Sequence, residues 1–165
     1  MTCSITYSSH TGNTKLLAET LKSAVISEFI TYFGPLNDDA LKADRIYLGF
    51  WTNNGICDKD TQNFIKKLDK QEVVLFGTAG LGYSADYFDK IIQRTRKLFG
   101  ERVRFFASFM CQGKMPIQVR DSLLNLKKLN PNDSKYDRML SNFDVGQSHP
   151  NKDDLRYLIT WLRKL

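Results

Sequence analysis

Short apolar runs alternate with segments of helical periodicity along most of this 165-residue chain, and this alternation constrains the fold more than any other feature. Several runs are nearly continuous in Val, Ile, Leu, Phe and Tyr, as expected for strands that are buried on both faces of a parallel sheet. Five strands are predicted, at Thr2–Tyr7, Phe29–Phe33, Arg45–Phe50, Glu72–Gly77 and Val103–Phe109. Strands separated by helices imply right-handed crossovers, so we expect an α/β fold with a doubly wound sheet.

The segments between these strands carry apolar residues at helical spacing. Leu17, Leu21 and Val25 are four residues apart and form one apolar stripe. A second helix is predicted after Asp58, whose side chain is suited to cap it, and another from about Ser84 to Leu98.

The segment from Cys111 to Pro150 does not follow the simple alternation. It predicts a helix at Ile117–Leu129 and a polar loop at Asn130–Ser134, before the last helix begins after Asn151. We interpret the segment as a helical and loop insertion after the fifth strand. Because the chain has the length of one ordinary domain, residues 1–165 are expected to form a single domain.

Composition excludes several classes of protein. No apolar run approaches the length of a membrane span, and the chain starts directly with a predicted strand, so we expect a cytoplasmic protein. The three cysteines fit neither a disulfide framework nor a zinc site. The net charge is +6, but the basic residues are dispersed among acidic ones, which favours solvated helix faces over nucleic-acid binding.

The loop after the first predicted strand is a candidate phosphate site. Backbone N–H groups at the start of a helix have no intrahelical partner, and the helix dipole adds partial positive charge there. The loop lacks both a P-loop lysine and a Gly-x-Gly-x-x-Gly pattern, which favours the monoester phosphate of a mononucleotide, although a plain capped turn would look similar. The candidate residues are Ser9, His10, Thr11, Gly12, Asn13 and Thr14.

The stretch Ile5–Leu21 resembles the signature of the flavodoxin family. It has the aromatic Tyr7, the small Gly12 and Thr14 in register, and departs only at Thr6, where an apolar residue is usual. The resemblance implies a flavodoxin-like five-stranded parallel sheet in the order 2-1-3-4-5, with FMN bound at the carboxyl edge of the sheet.

By the same resemblance, the loops after the third and fourth strands flank the flavin. Each loop contains one aromatic residue that can stack on the isoalloxazine ring, and small or polar residues that can hydrogen-bond its pyrimidine edge. For the tryptophan, an ordinary position at the edge of the core is the alternative. The candidate residues are Trp51, Thr52, Asn53, Asn54 and Gly55 in one loop, and Thr78, Ala79, Gly80, Gly82 and Tyr83 in the other.

Two further features concern the reaction. The Asn54–Gly55 peptide can adopt turns with positive φ, and its carbonyl could turn towards flavin N5 when reduction makes N5 a donor. Cys111 is either a redox thiol whose pKa Lys114 depresses or a small buried residue before a tight turn at Gly113, and the absence of a resolving cysteine favours the second interpretation.

The resemblance implies an FMN-binding electron-transfer protein with no catalytic residue and no metal of its own. Flavodoxins are usually strongly acidic, whereas this chain is basic, so its redox partner proteins are expected to present acidic docking surfaces. The segment from Cys111 to Lys114 is similar to that of family members that accompany specific reductases, such as those acting on linear tetrapyrroles. The alternatives are an FMN-dependent reductase with its own substrate pocket and a binding module of flavodoxin fold without flavin.

Overall fold

A computed structural model describes all residues from Met1 to Leu165 and contains a parallel sheet. The strands are Thr2–Tyr7 (β1), Phe29–Pro35 (β2), Arg45–Asn53 (β3), Ile56–Cys57 (β4), Glu72–Ala79 (β5) and Arg104–Gln112 (β6). The parallel strands are ordered β2-β1-β3-β5-β6, and the short β4 pairs antiparallel with β3 outside this path. When β4 is left out and the five parallel strands are numbered in chain order, their spatial order is 2-1-3-4-5. The predicted strand order is therefore confirmed.

Six α-helices surround the sheet. They are Asn13–Ala24 (α1), Lys59–Ile65 (α2), Ala85–Arg96 (α3), Ile117–Leu129 (α4), Lys135–Gly146 (α5) and Lys152–Leu162 (α6). A 3₁₀ helix spans Asp38–Lys42. None of the α-helices has the length and apolar character needed to cross a membrane.

The helices cover both faces of the sheet, as a doubly wound fold requires. Leu17 of α1 and Leu158 of α6 lie in one buried cluster, whereas Phe64 of α2 and Ile91 of α3 lie in the other. Since α1 and α2 follow the adjacent strands β1 and β3 and go to opposite faces, the topological switch point lies between these two strands.

Strand β3 is longer than its apolar run predicts, because it continues into a hairpin. It extends past Phe50 to Asn53, and Asn54 and Gly55 then turn the chain back into β4 with φ values of 52° and 78°. Positive φ at both turn residues is typical of the tight turns that join antiparallel strands, and Asn-Gly is a favoured sequence for them.

The insertion contains two helices rather than one. The helix at Ile117–Leu129 is confirmed as α4, and the predicted polar loop separates it from α5, which the sequence did not predict. Leu123 of α4 packs against Tyr136 and Leu140 of α5 and forms a small cluster apart from the two main ones.

Candidate functional site

The loops after β1, β3, β5 and β6 meet at the carboxyl edge of the sheet and enclose a cavity of about 360 Å³, which we term the central cavity. Doubly wound sheets bind their ligands at this edge, beside the switch point. Eleven of the predicted cofactor-binding residues line the cavity: His10, Thr11, Asn13, Trp51, Thr52, Asn53, Asn54, Gly55, Thr78, Ala79 and Gly80. The other five predicted residues do not line it: Ser9, Gly12, Thr14, Gly82 and Tyr83.

The segment from Ser9 to Thr14, termed the 9–14 loop, presents six consecutive backbone N–H groups that form no hydrogen bond within the protein. The next N–H, that of Lys15, is bound by Ser9 Oγ at 3.2 Å. The helical bonds of α1 begin only with Leu16, whose N–H donates to the Gly12 carbonyl at 3.0 Å. Gly12 has a φ of 89°, a left-handed conformation that favours glycine.

The hydroxyl groups of the 9–14 loop divide into two kinds. Ser9 and Thr11 use their hydroxyl oxygens as acceptors, so their hydroxyl hydrogens stay free to donate to a ligand. Thr14 is fully buried, and its Oγ1 donates to the Phe50 carbonyl at 3.1 Å and lies 3.2 Å from Thr78 Oγ1. The Thr14 side chain therefore links α1 to the ends of β3 and β5 and is not free to bind a ligand. Only its backbone N–H is unpaired.

A buried carboxylate fixes the start of the 9–14 loop. Asp58 Oδ1 accepts from Ser8 Oγ at 2.9 Å and from the backbone N–H groups of Asp60 and Thr61 at 3.1 and 3.2 Å. The Thr61 hydroxyl donates to the other carboxylate oxygen at 2.7 Å. The predicted role of Asp58 as the cap of α2 is confirmed, and the same side chain links that helix to the end of β1.

Two residues at the end of β3 face the 9–14 loop and the cavity. The Trp51 indole stacks on the His10 imidazole, with ring centroids 5.2 Å apart and an interplanar angle of 28°. The neighbouring Thr52 carries a buried Oγ1 that has no hydrogen-bond partner. Because an unpaired buried hydroxyl is costly, this atom is available to a ligand that brings a polar group into the cavity.

The hairpin turn is contacted by helix α3. Arg94 of α3 donates from Nη1 to the Gly55 carbonyl at 3.1 Å. This carbonyl belongs to the peptide that follows the Asn54–Gly55 peptide. The contact from Arg94 therefore does not engage the carbonyl of the Asn54–Gly55 peptide.

The loop Gly80–Ser84, termed the 80–84 loop, follows β5 and lines the central cavity with Gly80 and Leu81. Its backbone N–H groups form no hydrogen bonds within the protein, whereas the carbonyls of Gly80 and Leu81 are engaged. Gln112 Nε2 donates to Gly80 at 3.0 Å, and Asn142 Nδ2 of α5 donates to Leu81 at 2.9 Å. The insertion thus positions this loop.

The aromatic residue that α3 and the 80–84 loop bring to the central cavity is Tyr87, not Tyr83. Tyr83 is 61% exposed and lies with Phe109 and Tyr157 at a separate cavity. Tyr87 lies in the first turn of α3, where side chains point back towards the helix N-terminus and so towards the preceding loop. Burial raises the pKa of the Tyr87 phenol, which the charge of nearby Arg94 partly opposes. The sequence does contain a signal for Tyr87. Ser84 is a helix-capping residue three positions before it, and a side chain in the first turn of a helix points towards the preceding loop.

The segment after β6 forms a further wall of the cavity. Gly113 N–H donates to the Ala79 carbonyl at 3.1 Å, and Lys114 N–H donates to the His149 carbonyl at 2.8 Å. Asn13 of the 9–14 loop donates from Nδ2 to the Lys114 carbonyl at 2.8 Å. Gly113, Lys114 and Met115 all line the central cavity, although the sequence prediction placed none of them among the cofactor-binding residues.

Cys111 is a buried structural residue. Its side chain is 5% exposed, and burial, assisted by the negative charge of Asp154, raises the pKa of its thiol. A protonated thiol is a weak nucleophile, so the interpretation as a small buried residue is favoured. His149 binds Asp154 through Nδ1 at 2.6 Å, and no three His, Cys, Asp or Glu side chains are grouped to hold a metal ion.

The residues around the central cavity fit FMN, the cofactor that the flavodoxin resemblance implies. The unpaired amides of the 9–14 loop match a phosphate group at a helix N-terminus. The free amides of the 80–84 loop and the unpaired Thr52 hydroxyl match the polar edge of a flavin ring. Trp51 and Tyr87 provide aromatic surface at the cavity wall.

Comparison with known proteins identifies the family. A family model described as Flavodoxin domain matches residues 4–161, and the chain belongs to this family. It is 36% identical over 173 residues to the flavodoxin-like domain-containing protein BilS of Clostridium symbiosum (strain WAL-14163). The matched region covers 94% of this chain and 90% of that protein.

Solved structures share the fold at lower identity. Oxidised flavodoxin 2 from Bacillus cereus matches with a TM-score of 0.52 and 14% identity over 100% of both chains. A flavoprotein from Lactobacillus acidophilus NCFM in complex with FMN matches with a TM-score of 0.51 and 12% identity, over 73% of this chain and 97% of the other. The flavodoxin-like architecture predicted from the sequence is thereby confirmed.

Proposed function

We propose that this protein binds FMN non-covalently in the central cavity and carries electrons between redox partner proteins. The observation that supports FMN most directly is the row of six unpaired backbone N–H groups from Ser9 to Thr14. Amides at the N-terminus of a helix bind anions through their free hydrogens and the helix dipole together. A row of six donors without an internal acceptor is suited to the several oxygens of one phosphate group.

The ring of the cofactor would lie between the β3–β4 hairpin and the 80–84 loop. Trp51 and Tyr87 would pack against it, while the Thr52 hydroxyl and the amides of the 80–84 loop would bind its polar edge. FMN supplies one- and two-electron redox chemistry when bound. The Asn54–Gly55 peptide would accept a hydrogen bond from N5–H after turning over, while Arg94 holds the hairpin.

An electron carrier is favoured over an enzyme with its own substrate. The central cavity of about 360 Å³ is near the lower end of the size range of small-molecule pockets, so a flavin ring would fill most of it. Little of this cavity would remain for an organic substrate beside the ring, and a neighbouring cavity of about 680 Å³ is lined by neither Trp51 nor Tyr87. A carrier of this kind exchanges electrons at the exposed edge of the flavin with a partner protein.

The partner is expected to be acidic at its docking surface. The chain carries a net charge of +6, and the residues that line the central cavity include Lys114 but no carboxylate. Opposite charges on the two surfaces accelerate association, and salt weakens the effect. The resemblance of the Cys111–Lys114 segment favours a specific reductase, such as one acting on a linear tetrapyrrole, as the electron acceptor.

Titration of the apoprotein with FMN tests the proposal, with Gly12→Asp as the decisive variant. Aspartate tolerates the left-handed conformation of Gly12 better than most residues and places a negative charge beside the six amides. We expect FMN affinity to fall by more than about 100-fold, or about 2.7 kcal/mol. Gly12→Asn is the matched control, since it places a side chain of the same shape at the same φ of 89° and in the same open space but adds no charge.

Two outcomes would contradict the proposal. Neither heat nor fluorescence quenching on adding FMN to the wild-type apoprotein would exclude FMN binding at this site. Steady oxidation of NADPH by the purified flavoprotein without a partner would favour the reductase alternative over the carrier.

A further inference from the structure

We infer that Lys114 binds the phosphate group of FMN and makes the site selective for phosphorylated flavin. This inference rests on the FMN binding proposed above. The 9–14 loop contains no P-loop lysine, so its own sequence offers only amides and hydroxyls to the phosphate. The fold brings the backbone of Lys114 into contact with this loop from a segment 101 residues later in the chain.

The backbone at Lys114 is fixed in place against the 9–14 loop. Its carbonyl accepts from Asn13 Nδ2 at 2.8 Å, and its N–H donates to the His149 carbonyl at 2.8 Å. Gly113, one residue before, is so close to Asn13 that a Cβ on the glycine would lie 2.6 Å from Asn13 Nδ2. The segment after β6 and the first turn of α1 are therefore in direct contact.

The side chain at this fixed position is free to bind an anion. Lys114 is exposed, and it forms no ion pair with any carboxylate of the protein. It is also the one charged residue among those that line the central cavity. Lys15 lines a neighbouring cavity of about 680 Å³ together with Ser9 and Gly12 of the 9–14 loop, and its Nζ lies 3.9 Å from a carboxylate oxygen of Glu19.

The chemistry of the two partners is complementary. A phosphate monoester carries a charge of about −1.5 to −2 near neutral pH, whereas the backbone amides of the 9–14 loop carry no formal charge. The lysine ammonium is a compact charge on a flexible stem, so it can reach a phosphate oxygen without disturbing the pinned backbone. Riboflavin has the same ring and side chain but no phosphate, and would gain nothing from this contact.

The test compares FMN and riboflavin binding to the apoprotein of wild type, Lys114→Gln and Lys114→Arg. We expect Lys114→Gln to weaken FMN binding about tenfold, or about 1.4 kcal/mol, and to leave riboflavin binding unchanged. Lys114→Arg retains the charge and should restore most of the affinity for FMN. The salt dependence of FMN binding should also be weaker in Lys114→Gln, because one charge contact is lost.

Lys128→Gln is the matched control, since Lys128 is an exposed lysine in the last turn of α4 that forms no ion pair. It removes the same net charge and should leave both affinities unchanged. Equal losses of FMN and riboflavin binding in Lys114→Gln, or an equal loss of FMN binding in Lys128→Gln, would overturn the inference. Either result leaves FMN binding by the wild type intact, whereas a wild-type apoprotein that does not bind FMN would overturn the proposed function itself.

Discussion

Replacing Thr14 with valine separates the structural role of this side chain from a direct role in ligand binding. The change keeps the shape and the backbone N–H but removes the hydroxyl that donates to the Phe50 carbonyl and contacts Thr78 Oγ1. Since all three groups are buried, the apoprotein should lose roughly 1–3 kcal/mol of unfolding free energy. FMN affinity should fall by less than about fivefold, or about 1 kcal/mol, because the amide row is intact.

Urea unfolding of the apoprotein measures the first quantity, and titration with FMN measures the second. Each kcal/mol should also lower Tm by roughly 2–4 °C in a chain of this size. Thr20→Val is the matched control, because Thr20 lies on the same helix and donates to the Leu16 carbonyl at 2.9 Å, but at an exposed position. Its effect should stay within about 0.5 kcal/mol. Unchanged stability in Thr14→Val together with a large loss of FMN affinity would refute the reasoning and make the hydroxyl a phosphate ligand.

Three further predictions concern the ring, the turn and alkaline pH. Tyr87→Leu should weaken FMN binding about tenfold while Tyr83→Leu changes it little, since only Tyr87 lines the central cavity; equal effects would contradict this assignment. Gly55→Ala should move the first and second reduction potentials of the flavin further apart in a redox titration, because alanine disfavours the φ of 78° that Gly55 has before the peptide turns over; an unchanged separation would exclude the peptide flip. Burial raises the pKa of Cys3 and Cys57 to about 11, so these thiols ionise at lower pH in the unfolded chain than in the folded protein. Stability against urea should therefore fall as the pH rises from about 9 to about 11. The fall should be smaller in the double variant Cys3→Ala, Cys57→Ala.

The sheet could be predicted from the sequence because its strands are buried on both faces. Runs such as Glu72–Gly77 have no polar face, so their apolar continuity identifies them without alternation. The strand ends could not be predicted in this way. Beyond Phe50, strand β3 continues through polar residues whose pairing with β4 depends on the Asn54–Gly55 turn rather than on burial. The sequence pattern does not predict helix α5. Much of the apolar surface of this helix packs against α4, and the cluster that the two helices form is separate from the two main clusters.

The 9–14 loop could be located from sequence because its strand, glycine and helix are contiguous. The contributions of Tyr87 and Lys114 could not, since they depend on how distant segments meet at the sheet edge. Tyr83 has the right residue type in the right loop, but the 80–84 loop directs it to the cavity shared with Tyr157. The direction of a side chain in an irregular loop is set by carbonyl and amide contacts such as that of Leu81 with Asn142, which leave no periodic signal.

The contact of α5 with the 80–84 loop offers a way for the reduction potential of the flavin to differ between related proteins. The side-chain amides of Gln112 and Asn142 position the peptide groups of Gly80 and Leu81, which would face the flavin. Gln112 Nε2 also donates to the Asn142 carbonyl at 2.9 Å. A mutation that shifts α5 therefore moves those peptide groups without altering any atom in contact with the cofactor. A substitution in α5 can thus change the environment of the flavin from outside the cofactor site.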